Sequence, residues 1–172
     1  GKIAPTEALP WLTADQVVAS IRRLGELLHV SGQAGRLADE MAAGLAPSVG
    51  ADSPRVLILL GAPSESDTDL WVVKPNSLHG TAPRAAGGRH AIPEEIAGPP
   101  TLSIEGLLQV DPDIIIVMIS TADTSPEVLA GHRAFWKRFG MLSAVKQDKV
   151  GFLHGQGFYS TGPAILDFKH AL

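Results

Sequence analysis

Residues 154–161 hold the densest set of side chains suited to binding. Phe158 and Tyr159 are adjacent aromatics, and polar side chains, His154 among them, alternate with glycines around them. Aromatic rings offer a flat apolar surface and a phenol or imidazole adds a hydrogen bond, a combination that suits a large planar or chelated ligand. Tyr and His are also axial ligands of haem iron in proteins. The alternative is structural: Phe158 packs into the domain and Tyr159 covers the edge of a sheet.

Four further residues are candidates for ligand binding because they lie in or next to predicted strand ends. They are Trp71, Asn76, Ser77 and Thr121. In open parallel sheets, ligands gather beyond the carboxyl ends of the strands. We expect those ends to lead into residues 74–77, 120–125 and 154–161. For Trp71 the alternative is a place in the core, since a Trp at a strand position is usually buried.

The motifs that usually mark catalysis are missing from the sequence. Residues 61–64, Gly-Ala-Pro-Ser, follow a predicted strand but form neither a dinucleotide fingerprint nor a Walker loop, and Pro63 removes an amide donor that a phosphate would need. The motifs GxSxG and HExxH are missing as well. We therefore expect a protein that is not an enzyme and that holds no cofactor.

Neither a metal site nor a nucleic-acid site is predicted. The chain has no Cys, and its six histidines show no metal-ligand spacing. The carboxylate pairs, Asp67 with Asp69 and Glu94 with Glu95, fall in predicted loops, where solvation is the simpler explanation. The net charge of −4 and the lack of a basic stripe argue against nucleic acid as a partner.

The spacing of the apolar residues predicts an α/β domain. Unbroken apolar runs are typical of strands covered on both faces, and they lie at residues 55–61, 114–119 and 150–153. Two helices precede them, one over residues 13–29 that opens with a Thr13–Gln16 capping box and one that ends near Pro47. Helical patterns also separate the strands. This alternation favours a mostly parallel sheet with helices on both faces.

A series of short sequence motifs in a fixed order carries a resemblance to a known family. Their order and spacing over residues 13–172 make the match specific. The motifs are Leu24-Gly25 with Leu37, Val56 to Leu60, Asn76-Ser77-Leu78-His79-Gly80, Ala86 to Ala91, Leu102 to Leu108, Asp111 to Val117, Leu142 to Lys146, Lys149-Val150, and Gly162-Pro163, which opens a last predicted helix. The chain resembles the C-terminal part of the class III substrate-binding proteins of ABC importers, which carry ferric siderophores, haem and cobalamin.

The resemblance implies two α/β lobes joined by one long rigid helix, with the ligand in the cleft between the lobes. It assigns residues 54–172 to the C-terminal, Rossmann-like lobe. It assigns residues 1–53 to a connector with two helices, of which residues 33–46 form the interlobe helix. No counterpart of the N-terminal lobe is expected in this sequence, so the chain is a fragment, a dissected domain or a natural single lobe.

The resemblance also gives Glu105 a role in docking. This residue matches the position where the family presents a surface glutamate to an arginine pocket on the membrane permease. Such a carboxylate–guanidinium pair gives orientation as well as affinity. The structural alternative, compatible with the first, is that a carboxylate in the first turn of a helix interacts favourably with the helix dipole, by about 0.3–1 kcal/mol.

We therefore expect a substrate-binding component of an ABC importer for an iron chelate or a related metal complex. Its partners would be the permease and a siderophore, haem or cobalamin, and its location the periplasm or the outer side of a membrane to which it is anchored. One alternative is a free-standing lobe that acts as an interaction or regulatory module and self-associates through its two leading helices. The other is a small α/β hydrolase that uses residues 154–161.

Overall fold

The central feature is a four-stranded, wholly parallel sheet. The computed structural model describes residues 6–92, 99–119 and 125–172. The strands of this sheet are, in their order across it, β3 (Arg89–His90), β1 (Arg55–Leu60), β5 (Ile114–Ile119) and β6 (Val150–His154). The two longest apolar runs of the sequence are thus confirmed as the two inner strands, where both faces are covered.

Seven helices surround the sheet in the described part of the chain. They are α1 (Ala14–Leu27), α2 (Ser31–Gly44), α3 (Leu78–Ala85), α4 (Ile104–Val110), α5 (Pro126–Lys137), α6 (Ser143–Lys146) and α7 (Ile165–Ala171). The predicted capping box is present at the start of α1, where Thr13 and Gln16 satisfy each other's backbone amides. Ser103 caps α4 as predicted, since its hydroxyl accepts a hydrogen bond from the Gly106 amide.

The sheet separates two apolar cores. Successive side chains of a strand point to opposite faces. Ile58 of β1 therefore joins a first core with α1, α2, α3 and α7, and Leu57 joins a second core with α4, α5 and α6. Helices on both faces of a mostly parallel sheet confirm the predicted fold class. Residues from 1–53 and from 54–172 contribute to the first core together, and the proposed division between them stays a prediction.

The segment after β1 pairs in a way that the sequence does not predict. As expected, a polar loop follows β1, over residues 61–68, before the chain reaches residues 74–77. The chain then returns beside β1 through β2 (Asp69–Trp71), which pairs antiparallel with β4 (Thr101–Ser103). The Val73 amide donates to the Ile58 carbonyl oxygen at 2.9 Å. A returning segment was not apparent from the sequence because its partner β4 lies some 30 residues further along the chain.

The last helix also differs in its start. Gly162-Pro163 was expected to open it, whereas α7 begins at Ile165. Gly162 has a φ of 137°, a backbone conformation that favours glycine, so the chain turns there before the helix starts. Among the described helices, none is both long enough and apolar enough to cross a membrane.

Candidate functional site

The candidate site is the edge of the sheet where the parallel strands end. Two described loops lie there, residues 61–68 after β1 and residues 155–164 after β6. In open α/β sheets this edge is where ligands bind. The third predicted segment, with Thr121, lies outside the described residues except for its last position.

The loop after β6 is fixed to the first core through Phe158. The Phe158 ring is half-buried and lies 5.8 Å from the ring of Phe168. From α3, the Nε2 atom of His79 lies 2.8 Å from the Phe158 carbonyl oxygen. Burial lowers the pKa of His79, so its ring is neutral and Nε2–H donates to that carbonyl. For Phe158 the structure therefore shows the packing contact that the structural alternative described.

Tyr159 faces away from that core. It is the residue next to Phe158 and it is 43 % exposed. His154, the last residue of β6, is exposed as well. The short 3₁₀ helix Gln156–Tyr159 thus places one aromatic ring against the protein and the next at the surface. Tyr159 and His154 stay candidates for ligand contact at this end of the sheet.

The motif at residues 76–80 has a clear structural role. Ser77 caps α3: its hydroxyl accepts from the Gly80 amide at 3.1 Å and donates to the Lys74 carbonyl oxygen at 2.7 Å. Its single hydroxyl proton is therefore already engaged. Asn76 is exposed and, with Ser77, lines a groove of about 550 Å³ between the start of α1, the end of α2 and the start of α3. Their role in ligand binding stays a prediction.

Trp71 lies in a different place from Asn76 and Ser77. It is 55 % exposed, contrary to the core position that a Trp in a strand usually takes. It lines a cavity of about 110 Å³ at the carboxyl end of β1, together with Gly61, Pro63, Asp67 of the preceding loop and Asp69 at the start of β2. These aspartates, Asp67 and Asp69, are the residues that sequence reasoning passed over as solvated.

The distance across the edge suits a large ligand. The segment that follows Trp71 lies beside β1, and β5 lies between β1 and β6. Trp71 and the end of β6 are thus separated by three strand spacings, roughly 14 Å. Within the described residues, Trp71 and the loop with Tyr159 therefore lie at opposite sides of a broad rim.

Glu105 is an exposed side chain in the first turn of α4. The far end of this helix is held by Asp111, which has a left-handed backbone and ends the helix. The Asp111 carboxylate accepts from the Ser143 amide at 2.7 Å and from the Ser143 hydroxyl at 2.8 Å. Arg55 donates to the carbonyl oxygens of Val110 and Asp111. With Ser103 at its start, this short helix is held at both ends.

A second surface feature is an apolar groove on the α1–α2 pair. Its volume is about 280 Å³, and its walls are formed mainly by Trp11, Leu24, Leu28, Val30, Leu37 and Pro163. Leu28 is 60 % exposed and Val30 is 42 % exposed. Side chains of this kind form an apolar patch, and contiguous exposed patches often mark an interface.

Side chains that could hold a metal ion are not assembled in the described residues. No cluster of three or more His, Asp or Glu side chains with metal-binding geometry occurs there. His90 is only 9 % exposed, and its Nδ1 accepts from the Ile92 amide at 3.2 Å. Burial lowers the pKa of both His79 and His90.

Comparison with known proteins decides the fold. No family model matches the sequence, and no curated protein matches it either. Among solved structures, an ABC transporter substrate-binding protein from Listeria monocytogenes EGD-e superposes with a TM-score of 0.72 at 21% identity, over 95% of this chain and 65% of that one. The chain has the fold of a substrate-binding protein.

Two further solved structures agree with this substrate-binding-protein fold. S. aureus IsdE, complexed with haem, matches with a TM-score of 0.69 at 24% identity, over 95% of this chain and 63% of its own. An ABC-type Fe3+-hydroxamate transport system from Saccharomonospora viridis matches with a TM-score of 0.65 at 16% identity. The chain spans slightly less than two thirds of the length of the Listeria protein and of IsdE. The resemblance drawn from the sequence is confirmed at the level of the fold.

Proposed function

We propose that this chain is part of the substrate-binding component of an ABC importer, with an iron chelate or a related metal complex as its cargo. The observation that carries the proposal is the substrate-binding-protein fold over 95% of the chain, combined with exposed aromatic side chains at the ligand-binding edge of its sheet. Siderophore, haem and cobalamin are the cargo types that the family resemblance implies. The protein would act outside the cytoplasmic membrane, in the periplasm or anchored to the membrane surface.

Binding would take place between this lobe and a second one. Trp71 and Tyr159 offer apolar surfaces on either side of the rim, His154 adds a polar group at the end of β6, and Asn76 adds one in the neighbouring groove beside α3. Large aromatic side chains dominate the binding energy of most such sites because they lose few rotamers on binding. A single connecting helix is stiffer than a hinge of several strands, so we propose closure with little bending.

Delivery would depend on Glu105. The helix that carries it is capped by Ser103 at one end and held by Asp111 and Arg55 at the other, so the backbone at Glu105 starts from a fixed position. A backbone that is already ordered loses no further freedom when the Glu105 side chain pairs with an arginine of the permease. We therefore propose Glu105 as the contact of this lobe with the permease.

The proposal is tested by ligand titration followed through tryptophan fluorescence. The protein at its full native length is titrated with a ferric hydroxamate, with haemin and with cyanocobalamin. We expect saturable binding of one class, weakened about tenfold by Trp71→Ala or Tyr159→Ala. Met141→Ala is the matched control, since Met141 is 64 % exposed on the turn between α5 and α6. Absence of saturable binding for all three ligands contradicts the proposal.

A second candidate function is self-association through the apolar groove on α1 and α2. The groove is the observation in its favour, since Leu28 and Val30 leave apolar surface in water. Light scattering coupled to size exclusion tests it: this function requires a dimer that Leu28→Asp converts to a monomer. A wild-type protein that stays monomeric at high concentration removes it.

A further inference from the structure

The cavity beside Trp71 combines two kinds of lining. One is the indole of Trp71, more than half exposed, and the other is the pair of aspartates, Asp67 and Asp69. The other apolar side chains of the lining are those of Leu59, Leu60, Ala62, Pro63 and Leu70. The cavity holds about 110 Å³, which is room for several water-sized groups. A small polar head group and the first atoms of an alkyl arm fit such a space.

The two aspartates are positioned by neighbours that leave their charges uncompensated. The Ser64 amide donates to Asp67 Oδ2 at 2.7 Å, and the Thr68 hydroxyl donates to Asp69 Oδ2 at 3.0 Å. Within residues 6–92, 99–119 and 125–172, neither aspartate belongs to a salt bridge. Glu65 of the same loop differs, because Arg138 pairs with it at 2.8 Å.

Cations are scarce around this cavity. In the described segments that form the carboxyl edge, residues 61–80 and 154–164, Lys74 is the sole Lys or Arg, and it does not line the cavity. An anionic group placed here would meet two carboxylates, and the residues that line the cavity include no Lys, Arg or His. A cationic group would meet two carboxylates and the Trp71 side chain, and Trp is the aromatic residue that attracts cations best.

We propose that this cavity binds a cationic group of the cargo, a primary ammonium on an alkyl arm. The inference rests on the proposed function and narrows its cargo. Three hydroxamates balance the charge of ferric iron, so a ferric trihydroxamate with one free amine is a net cation. A ferric tricatecholate is strongly anionic and haem carries two propionates. The geometry thus points to an amine-bearing ferric hydroxamate.

The test compares two chelates that differ only in this charge. Ferrioxamine B has a free terminal amine, and its N-acetylated form has the same chelate without the cation. The protein at its full native length is titrated with each at low ionic strength, because exposed charges are screened by salt. We expect the amine-bearing chelate to bind about tenfold more tightly, the combined effect of one aromatic and two exposed carboxylate contacts.

Matched variants assign the preference to this cavity. The double variant Asp67→Asn/Asp69→Asn should bind both chelates equally, whereas Glu65→Gln, in the same loop but paired with Arg138, should keep the full preference. All three positions are exposed, and far-UV circular dichroism with a urea midpoint verifies that each variant is folded. A preference that survives in the double variant overturns the inference.

The remaining outcomes separate this inference from the proposed function. Equal affinity of the wild-type protein for both chelates overturns the ammonium site and leaves the importer function standing. Binding of haemin or cyanocobalamin in place of both chelates does the same. Failure of all four ligands overturns the inference and the proposed function together.

Discussion

Gly80 and Lys74 approach so closely that a side chain at position 80 would collide with the Lys74 carbonyl oxygen. A Cβ there would also lie 2.7 Å from the Pro75 carbonyl oxygen. Both obstacles are backbone, and they belong to the turn that the Ser77 hydroxyl ties to the start of α3. The first turn of α3 can therefore pack against residues 74 and 75 only because position 80 has no side chain.

Gly80→Ala is therefore expected to destabilise the fold by about 3 kcal/mol, the upper part of the range for overpacking. Gly131→Ala is the matched control, since Gly131 is a helical glycine with nothing within 4 Å of the added Cβ. The control should stabilise by about 1 kcal/mol, the helix-propensity difference. Urea denaturation measures both free energies. Equal stability of the two variants would contradict this expectation, since the turn at Lys74 would then accommodate a Cβ at position 80 without a loss of stability.

His79→Ala should loosen the loop that carries Tyr159. The variant loses the hydrogen bond to the Phe158 carbonyl and the edge contact with Phe168, whose ring centroid lies 5.4 Å from that of His79. We expect a loss of about 2 kcal/mol in the free energy of unfolding. Amide exchange of residues 157–160 should become faster. His170→Ala, at an exposed position, is the control, and similar exchange in both variants contradicts the role of His79.

Stability should fall on the mildly acidic side of neutral pH. Burial lowers the pKa of both His79 and His90 because it disfavours the imidazolium. Below about pH 6.5, the ordinary pKa of histidine, the unfolded chain therefore binds more protons than the folded one. The free energy of unfolding is expected to be constant above about pH 7 and to decrease as the pH falls below 6.5. A double variant, His79→Gln/His90→Phe, should show a smaller decrease in a urea series. A wild-type protein that gains stability from pH 7 to pH 6 refutes this assignment.

The carboxyl of Asp111 affects the free energy of unfolding in a more acidic pH range. Hydrogen bonds from the Ser143 amide and hydroxyl, assisted by the charges of Arg55 and Lys146, lower the pKa of the Asp111 carboxyl. Its contribution is present above about pH 3.9, the ordinary Asp pKa, and is lost as the pH falls through the lowered folded value. Asp111→Asn should cost about 1 kcal/mol at neutral pH and flatten the acid limb of the stability curve.

The control for this experiment is Asp148→Asn. Asp148 also has a left-handed backbone, with a φ of 54° against 40° for Asp111, so both positions suit asparagine equally. A loss of stability at position 148 as large as at position 111 would place the effect in the backbone and not in the Ser143 hydrogen bonds.

Glu105→Ala should separate delivery from binding. If Glu105 contacts the permease, the variant keeps its ligand affinity and loses most of the uptake measured in cells or in proteoliposomes. Glu127→Ala is the matched control, because Glu127 is also an exposed glutamate in the first turn of a Ser-capped helix. Unchanged uptake in Glu105→Ala removes the docking assignment.

Local signals explain which parts of the fold the sequence predicts. The Thr13 capping box, the Ser103 cap and the apolar runs of β1 and β5 each depend on neighbours in sequence, and all are present in the structure. The pairing of β2 with β4 joins segments separated by a helix and a strand. No local pattern specifies such a partner, so the return of the chain beside β1 was missed.

The candidate site follows the same rule. The sequence indicates the 154–161 loop and the 76–80 motif because the spacing of their aromatic residues and glycines is visible along the chain. Which of Phe158 and Tyr159 faces the solvent is decided by His79 and Phe168, which are distant in sequence. The juxtaposition of Trp71 with Asp67 and Asp69 depends on how the loop after β1 folds back. The sequence shows only that these three residues are near one another along the chain.

The sheet between the two cores has a consequence for how such a protein can change over generations. The loop with Tyr159 rests on the first core through Phe158, whereas α4 with Glu105 rests on the second core through Leu107. Substitutions that reshape one side need not disturb the other, because the strands form a stiff partition. On the proposed function, a lineage can alter the cargo it captures while keeping the permease that accepts it.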